Sequence, residues 1–150
     1  MSPAEPLPLL VYGTLREDGV RGAVIGRDVG VNPCVFTGFR VVYYPGATYP
    51  GLVVAPGAVA EGLLVMGLDA FDLVVLDLYE GPGYRREIIG LEPEYGGSAQ
   101  VYMPTPPIGP EAADWTFAHW SAHHRSEKFR AEARWARETA RARWQGQITP

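Results

Sequence analysis

Two short stretches carry residue types suited to acyl chemistry. The first is Leu9-Leu10-Val11-Tyr12-Gly13-Thr14-Leu15-Arg16. Its apolar run ends at Gly13, where the missing side chain lets the main chain turn sharply and lets a ligand approach its amides. Thr14 adds a short donor and acceptor, and Arg16 adds a cation. A strand ending in such a loop offers free N–H groups to a carboxylate or a developing oxyanion. Taken alone, it reads more simply as a tight turn with no ligand. The second stretch is Asp77-Leu78-Tyr79-Glu80-Gly81-Pro82-Gly83-Tyr84-Arg85-Arg86. Glu80 falls in the last turn of a predicted helix, where the helix dipole is already negative. A carboxylate there, beside Tyr79 and Tyr84, tends toward a raised pKa and so suits proton transfer near neutral pH. Taken alone, it too has a simpler reading, a solvated acid at a helix end.

Other residues able to do chemistry point elsewhere. His119 and His123 stand four apart and would share one helix face. No His-Glu-x-x-His pattern or third ligand accompanies them, so no metal site is expected. Cys34 precedes a predicted strand and reads as a small buried hydrophobe. Thr14 has no Gly-x-Ser-x-Gly elbow around it, and Gly51, Gly57 and Gly62 form no phosphate loop. Trp115, Trp120, Trp135 and Trp144 read as packing anchors.

The elements that must position the two stretches follow from periodicity and breakers. Leu7–Val11, Val35–Tyr44, Gly51–Ala55, Ala58–Met66, Arg85–Leu91 and Ala99–Met103 are short β-favouring runs punctuated by glycine and proline. That pattern predicts a small barrel or sandwich rather than a doubly wound parallel sheet. One helix lies between them. Asp69 is its N-cap, with Asp72 three residues on; Phe71, Val74, Val75 and Leu78 form its apolar face, and Gly81-Pro82 ends it. After the breaker run Pro104–Pro110, residues 111–145 lack glycine and proline. Phe129, Ala133, Ala136, Ala140 and Trp144 make a narrow apolar stripe there, for one long helix or two with a break near His124-Arg125-Ser126. Its many charges read as a solvated face.

Composition bounds the class. A chain of 150 residues, 47% hydrophobic and 20% charged, suits one globular domain with a core of its own. The formal charge of −4 argues against a nucleic-acid binder. The single cysteine allows no internal disulfide, and no apolar run approaches the ~20 residues of a membrane span. Residues 1–8 lack the basic segment of a signal peptide, so the expected compartment is cytoplasmic.

In order and spacing, the chain resembles the gamma-glutamylcyclotransferase-like (AIG2-like) family. Tyr12-Gly13-Thr14-Leu15 resembles its Tyr-Gly-[Ser/Thr]-Leu loop, and Leu76-Asp77-Leu78-Tyr79-Glu80-Gly81 with Tyr84 and Arg86 resembles its acidic motif. Tyr49-Pro50-Gly51-Leu52, Val59-Ala60-Glu61-Gly62-Leu63 and Val101-Tyr102 fall where the family has further strand motifs. The resemblance spans about Pro8 to Met103. It implies an α+β fold: a small mixed or largely antiparallel β-barrel over residues 1–110, with a short central helix. Residues 111–150 would be a C-terminal helical extension packed on the same domain.

The resemblance also implies chemistry. Such a protein would release a gamma-glutamyl group of a small-molecule substrate as 5-oxoproline, with no metal or organic cofactor. Glu80 would be the proton-transferring residue, and Tyr12, Gly13, Thr14 and Leu15 would hold the substrate's carboxylate and reacting carbonyl. Tyr84 and Tyr102, and Tyr79 with them, would be walls of the site. Arg86 pairs either with an acidic substrate group or with a structural acid. The alternatives are a hydrolase acting on a related amide, and a non-catalytic module that binds small acids or works as an interaction partner. No nucleic acid or membrane is expected as a partner. The apolar helical stripe leaves both monomer and homodimer open.

Overall fold

The computed structural model describes residues 6–148. Five strands, β1 (Leu9–Val11), β2 (Val31–Tyr43), β3 (Pro50–Val65), β4 (Tyr84–Gly90) and β5 (Ser98–Pro104), form one sheet in the order β2-β3-β1-β5-β4. β1 runs antiparallel to β3 and parallel to β5, while β2 with β3 and β4 with β5 are antiparallel pairs. The sheet is therefore mixed and open, with β2 and β4 as its two edges, and it is not the closed barrel that the strand pattern predicts.

The reason lies in how its two faces are covered. Alternate residues of a strand face opposite sides. Leu9 and Val11 accordingly enter a core made with helical residues. Leu10 enters a second core with Phe36, Leu52, Leu64 and Val101, all strand residues. A sheet curled over its own side chains gives the short alternating runs of a barrel without needing the last pair of edges to join.

Two predicted runs, Gly51–Ala55 and Ala58–Met66, are one strand, β3. Pro56-Gly57 lies inside it, opposite a register shift between Thr37 and Phe39. Gly57 (φ 84°) and, across from it, Gly38 (φ 90°) take up the left-handed backbone that this bulge needs.

Four helices complete the fold: α1 (Asp18–Ile25), α2 (Ala70–Glu80), α3 (Phe117–His123) and α4 (Glu127–Ile148). α2 starts as the sequence predicts. The Asp69 carboxylate accepts from the Asp72 amide (2.8 Å), and that of Asp72 accepts from the Asp69 amide (2.9 Å). The tail divides at residues 124–126, and Phe129, Ala133, Ala136 and Ala140 of α4 are buried. α4 packs against α1 and α2. Trp144 stacks on Phe71 at 5.6 Å, whereas Trp135 is 55% exposed and anchors nothing.

α1 was not evident in the sequence, because two glycines in eight residues lower helix propensity. A Cβ on one of them, Gly19, would lie 2.5 Å from the Arg130 guanidinium of α4, the movable end of a long side chain. Glu17 ties these elements together, accepting from the Val20 amide (2.6 Å) and from Arg130 (2.7 Å). Among the described residues no helix is long and apolar enough to cross a membrane.

Candidate functional site

The end of β1 and the end of α2 meet at one cavity of about 190 Å³. The extended backbone of β1 ends at Val11, and a 3₁₀ turn over Thr14–Arg16 follows. The turn closes with hydrogen bonds from the Arg16 amide to the Gly13 carbonyl (3.0 Å) and from the Glu17 amide to the Thr14 carbonyl (3.1 Å). The first amides of such a turn have no partner within it, and those of Thr14 and Leu15 meet no acceptor among the described residues. Gly13 can line the cavity only with main chain. A Cβ there would lie 2.8 Å from Cγ of Pro50, so the approach of the two segments depends on glycine.

α2 brings Tyr79 and Glu80 to the opposite wall. The Tyr79 and Thr14 hydroxyls hydrogen-bond at 2.8 Å, which joins two segments 65 positions apart. Among the described residues nothing hydrogen-bonds the Glu80 carboxylate, which is half-buried and lines the cavity. Burial, together with the nearby negative charge of Asp77, pushes its pKa up to about 8. The causes of the rise are loss of water first and the Asp77 charge second, rather than the helix-end position that the sequence suggests.

The aromatic residues form a fixed frame of neutral phenols. The Tyr12 hydroxyl donates to the Tyr102 carbonyl at 2.5 Å, and the Tyr84 hydroxyl donates to the Pro50 carbonyl at 2.6 Å. Tyr102 donates to Asp77 at 2.6 Å. Burial first, and the Glu80 charge after it, holds Tyr12 and Tyr84 above the ordinary tyrosine range, so both stay protonated. Burial and the hydrogen bond to Asp77 do the same for Tyr102.

Every residue singled out as a site candidate thus borders one cavity: Tyr12, Gly13, Thr14, Leu15, Glu80, Tyr84 and Tyr102. Two charged residues of the same motifs lie elsewhere. Arg86 binds Asp77 through two nitrogens (2.8 and 3.1 Å) and Gln100 through a third, so it pairs with a structural acid. Arg16 turns away, stacks over Phe117 at 4.7 Å and borders a separate groove. Neither histidine lines the cavity; the His119 and His123 rings lie tilted with centroids 4.6 Å apart, and among the described residues no cluster fit to hold a metal occurs. Cys34 is buried.

Sequence reasoning missed the outer wall. Lys128, Phe129 and Glu132 of α4 border the cavity, with Tyr49 and Pro50 across from them. Phe129 was legible as apolar stripe. Lys128 and Glu132 gave no signal, because a charge on a helix surface has the same local pattern whether it faces bulk water or the mouth of a cleft.

This arrangement suits a substrate that needs a proton moved within a confined space: one poised carboxyl faces a glycine-bearing turn with free amides. Comparison with known proteins agrees with the fold. The chain is 24% identical over 125 residues to Protein AIG2 C of Arabidopsis thaliana, covering 81% of this chain and 75% of that protein. The solution structure of At3g28950.1 from Arabidopsis thaliana superposes with a TM-score of 0.67 at 23% identity, covering all of this chain and 88% of that one. That of At5g39720.1 from the same plant gives 0.64 at 24% identity, over 82% and 85% of the two chains. The crystal structure of an uncharacterized protein, PH0828, from Pyrococcus horikoshii gives 0.55 at 16% identity, over 79% and 99%. The model of the family described as "Gamma-glutamyl cyclotransferase, AIG2-like" matches residues 9–122, which include the turn after β1 and the end of α2 but not the outer wall on α4, and the chain belongs to that family.

Proposed function

We propose that this protein is a cyclotransferase that releases a gamma-glutamyl group as 5-oxoproline from a gamma-glutamyl amine or peptide. The observation that carries the reading is the Glu80 carboxyl: it has no hydrogen-bond partner among the described residues, has a pKa near 8, and faces the 12–15 turn across a cavity of about 190 Å³. That space lies below the roughly 300–1,000 Å³ of sites for drug-sized ligands, so it suits a glutamyl unit with the remainder of the substrate outside.

The reaction makes three demands. The substrate's α-ammonium must lose a proton before its nitrogen attacks the γ-carbonyl. Glu80 accepts that proton, and the approach of the ammonium draws its pKa down toward neutrality. The new N–C bond converts the carbonyl to a tetrahedral oxyanion, for which the free amides of the turn are the available donors. The γ-C–N bond then breaks as Glu80 returns that proton to the departing amine, and the second proton, which the ring nitrogen loses on becoming the lactam N–H, passes through Glu80 to the amine, which leaves as its ammonium. No water or external nucleophile is consumed, and the enzyme ends as it began. A cavity that holds the glutamyl chain folded, with amine near carbonyl, also supplies the positional part of the acceleration.

Incubation with a panel of gamma-glutamyl amines, gamma-glutamyl dipeptides and glutathione tests this, with 5-oxoproline as the product sought. Free glutamate in its place identifies a hydrolase. Silence across the panel, with small acids still raising the melting temperature, identifies a binding module.

A further inference from the structure

We propose that Arg86 is a positioning residue for the chemistry at Glu80. It clamps Asp77, and the clamped carboxylate holds Tyr102 in the cavity wall while placing a countered negative charge one helical turn from Glu80. Because it concerns how the proton-transferring carboxyl is set, this role rests on the cyclotransferase reading above.

Arg86 of β4 stands directly across from Tyr102 of β5, and Gln100, two residues before Tyr102, projects from the same face. Asp77 comes to that face from α2. Arg86 grips it with Nε (2.8 Å) and Nη2 (3.1 Å), one nitrogen to each carboxylate oxygen, and gives Nη1 to the Gln100 side-chain oxygen. A two-point grip fixes direction as well as distance. Gln100 is itself held. It is buried, its side chain donates to the Leu7 carbonyl at 2.9 Å, and its amide donates to the Pro8 carbonyl at 2.8 Å. The clamp is therefore anchored on the segment that leads into β1, the strand that ends at the cavity. On the other side, the Asp77 oxygen held by Arg86 Nε also accepts the Tyr102 hydroxyl at 2.6 Å, and the Tyr102 carbonyl accepts the Tyr12 hydroxyl. A chain of hydrogen bonds thus runs from Gln100 through Arg86 and Asp77 to two tyrosines that border the cavity.

Asp77 and Glu80 lie three residues apart on α2 and are neighbours on its surface. The Asp77 charge is the second cause, after loss of water, of the raised Glu80 pKa. Arg86 sets the opposite charge against it and so limits what Glu80 feels. Among the described residues no hydrogen bond joins Arg86 to Glu80, so the effect passes through Asp77. The other titratable groups around Glu80 are Tyr12 of β1, Tyr49 ahead of β3, Tyr79 of α2, Tyr84 of β4, Tyr102 of β5, and Lys128 and Glu132 of α4. Burial first of all holds these phenols above the ordinary tyrosine range, so they stay neutral. Lys128 and Glu132 are the same in every variant below, so what they contribute cancels in a comparison.

The test follows the acid limb of kcat/KM against pH for 5-oxoproline release from whichever compound of the panel above turns over fastest. Arg86→Gln is expected to move the limb toward alkali by about half a pH unit, the size of one partly screened charge a helical turn away. In an Asp77→Asn background the same substitution is expected to leave the limb where Asp77→Asn alone puts it. Arg86→Lys keeps the cation but not the two-point grip, so the limb should stay while kcat falls about three- to tenfold as Tyr102 loosens. That fall is expected to vanish in a Tyr102→Phe background, where no hydroxyl is left to aim. A limb unmoved in folded Arg86→Gln overturns the inference, as does an equal movement with and without Asp77. Melting curves identify the folded variants. If Arg86→Gln does not fold, the lysine variant decides: a limb displaced by half a unit, or a loss of kcat equally large beside Tyr102→Phe, overturns the inference. No 5-oxoproline from any compound of the panel overturns the cyclotransferase reading and this inference with it. Turnover in which Arg86 and Asp77 act independently overturns this inference alone.

Discussion

The Thr14 hydroxyl and the Tyr79 hydroxyl lie 2.8 Å apart, and this contact fixes where Glu80 stands. Thr14 belongs to the turn after β1; Tyr79 precedes Glu80 in the last turn of α2. Both elements are short and end at the cavity. A direct bond between their tips therefore sets the distance across it better than packing further back in the core.

Thr14→Val and Tyr79→Phe keep shape and remove one partner each. Each is expected to cost about 1 kcal/mol of stability, because the partner left behind in a half-buried site loses its bond. A double-mutant cycle by denaturant titration is expected to show a coupling of about 0.5–1 kcal/mol. Strictly additive losses would mean that the two hydroxyls do not bond in solution. In the cyclotransferase assay both single variants should raise KM, since the glutamyl unit then meets a wider gap.

Glu80 dictates a pH profile. With a free-enzyme pKa of about 8, log kcat/KM should rise with pH on an acid limb of unit slope and level off near that value. The limb for kcat should lie lower, because the bound ammonium favours the ionised carboxylate. Glu80→Gln is expected to lose about 10²–10⁴-fold in kcat together with the limb. Asp77→Asn removes a neighbouring negative charge and should move the limb toward acid. A profile unmoved by either change would take Glu80 out of proton transfer.

The same residue gives a stability signature with a definite sign. Its pKa rises from an ordinary 4.5 to about 8 on folding. Below pH 4.5 both states hold the proton and Glu80 has no effect on the pH dependence. As pH rises toward 8 the unfolded chain has already released it, and native stability falls. Glu80→Gln never ionises. Relative to the unsubstituted protein it should gain on the order of 2 kcal/mol at pH 8–9, the full shift being discounted for the screening that water gives a half-buried group, with the gain shrinking as pH falls. Melting temperatures measured in parallel from pH 4 to 9 would show this; a gap that widens toward acid would contradict it.

Gly13 lies at the closest approach in the site. A Cβ there would be 2.8 Å from Cγ and 3.0 Å from Cδ of the Pro50 ring. Pro50 in turn accepts the Tyr84 hydroxyl bond. Gly13→Ala is therefore expected to cost about 1–3 kcal/mol, as overpacking does, lowering the melting temperature by several degrees. It should also reduce kcat/KM by displacing Tyr84. A variant that melts and turns over like the original would show that Pro50 gives way freely.

The local content of the sequence was sufficient for the ends of α2, the alternation of β1 and the buried face of α4. Asp69 and Asp72 supply both halves of a cap three residues apart, and Gly81, at φ 78°, closes α2. The phase of alternation along Leu9-Leu10-Val11 sends neighbouring side chains to opposite cores, and the alanine stripe of α4 lies on its buried face. The two motif stretches named the residues around the cavity because each chemistry-bearing side chain sits at the end of an element whose end is marked by glycine.

What tertiary structure alone decided is which surfaces meet. An alternating strand reports that it has an apolar side, not what covers that side, so residues 50–65 read as two strands of a barrel. They are one bulged strand in an open sheet. α1 depends on Glu17 and Arg130, 113 positions apart, and no local pattern records that pairing. Lys128 and Glu132 are ordinary solvated charges by every nearest-neighbour criterion. They become the mouth of the cavity only because α4 crosses α1 and α2 where β1 ends, and long-range packing of that kind follows from the shapes of whole faces rather than from the order of residues along one of them.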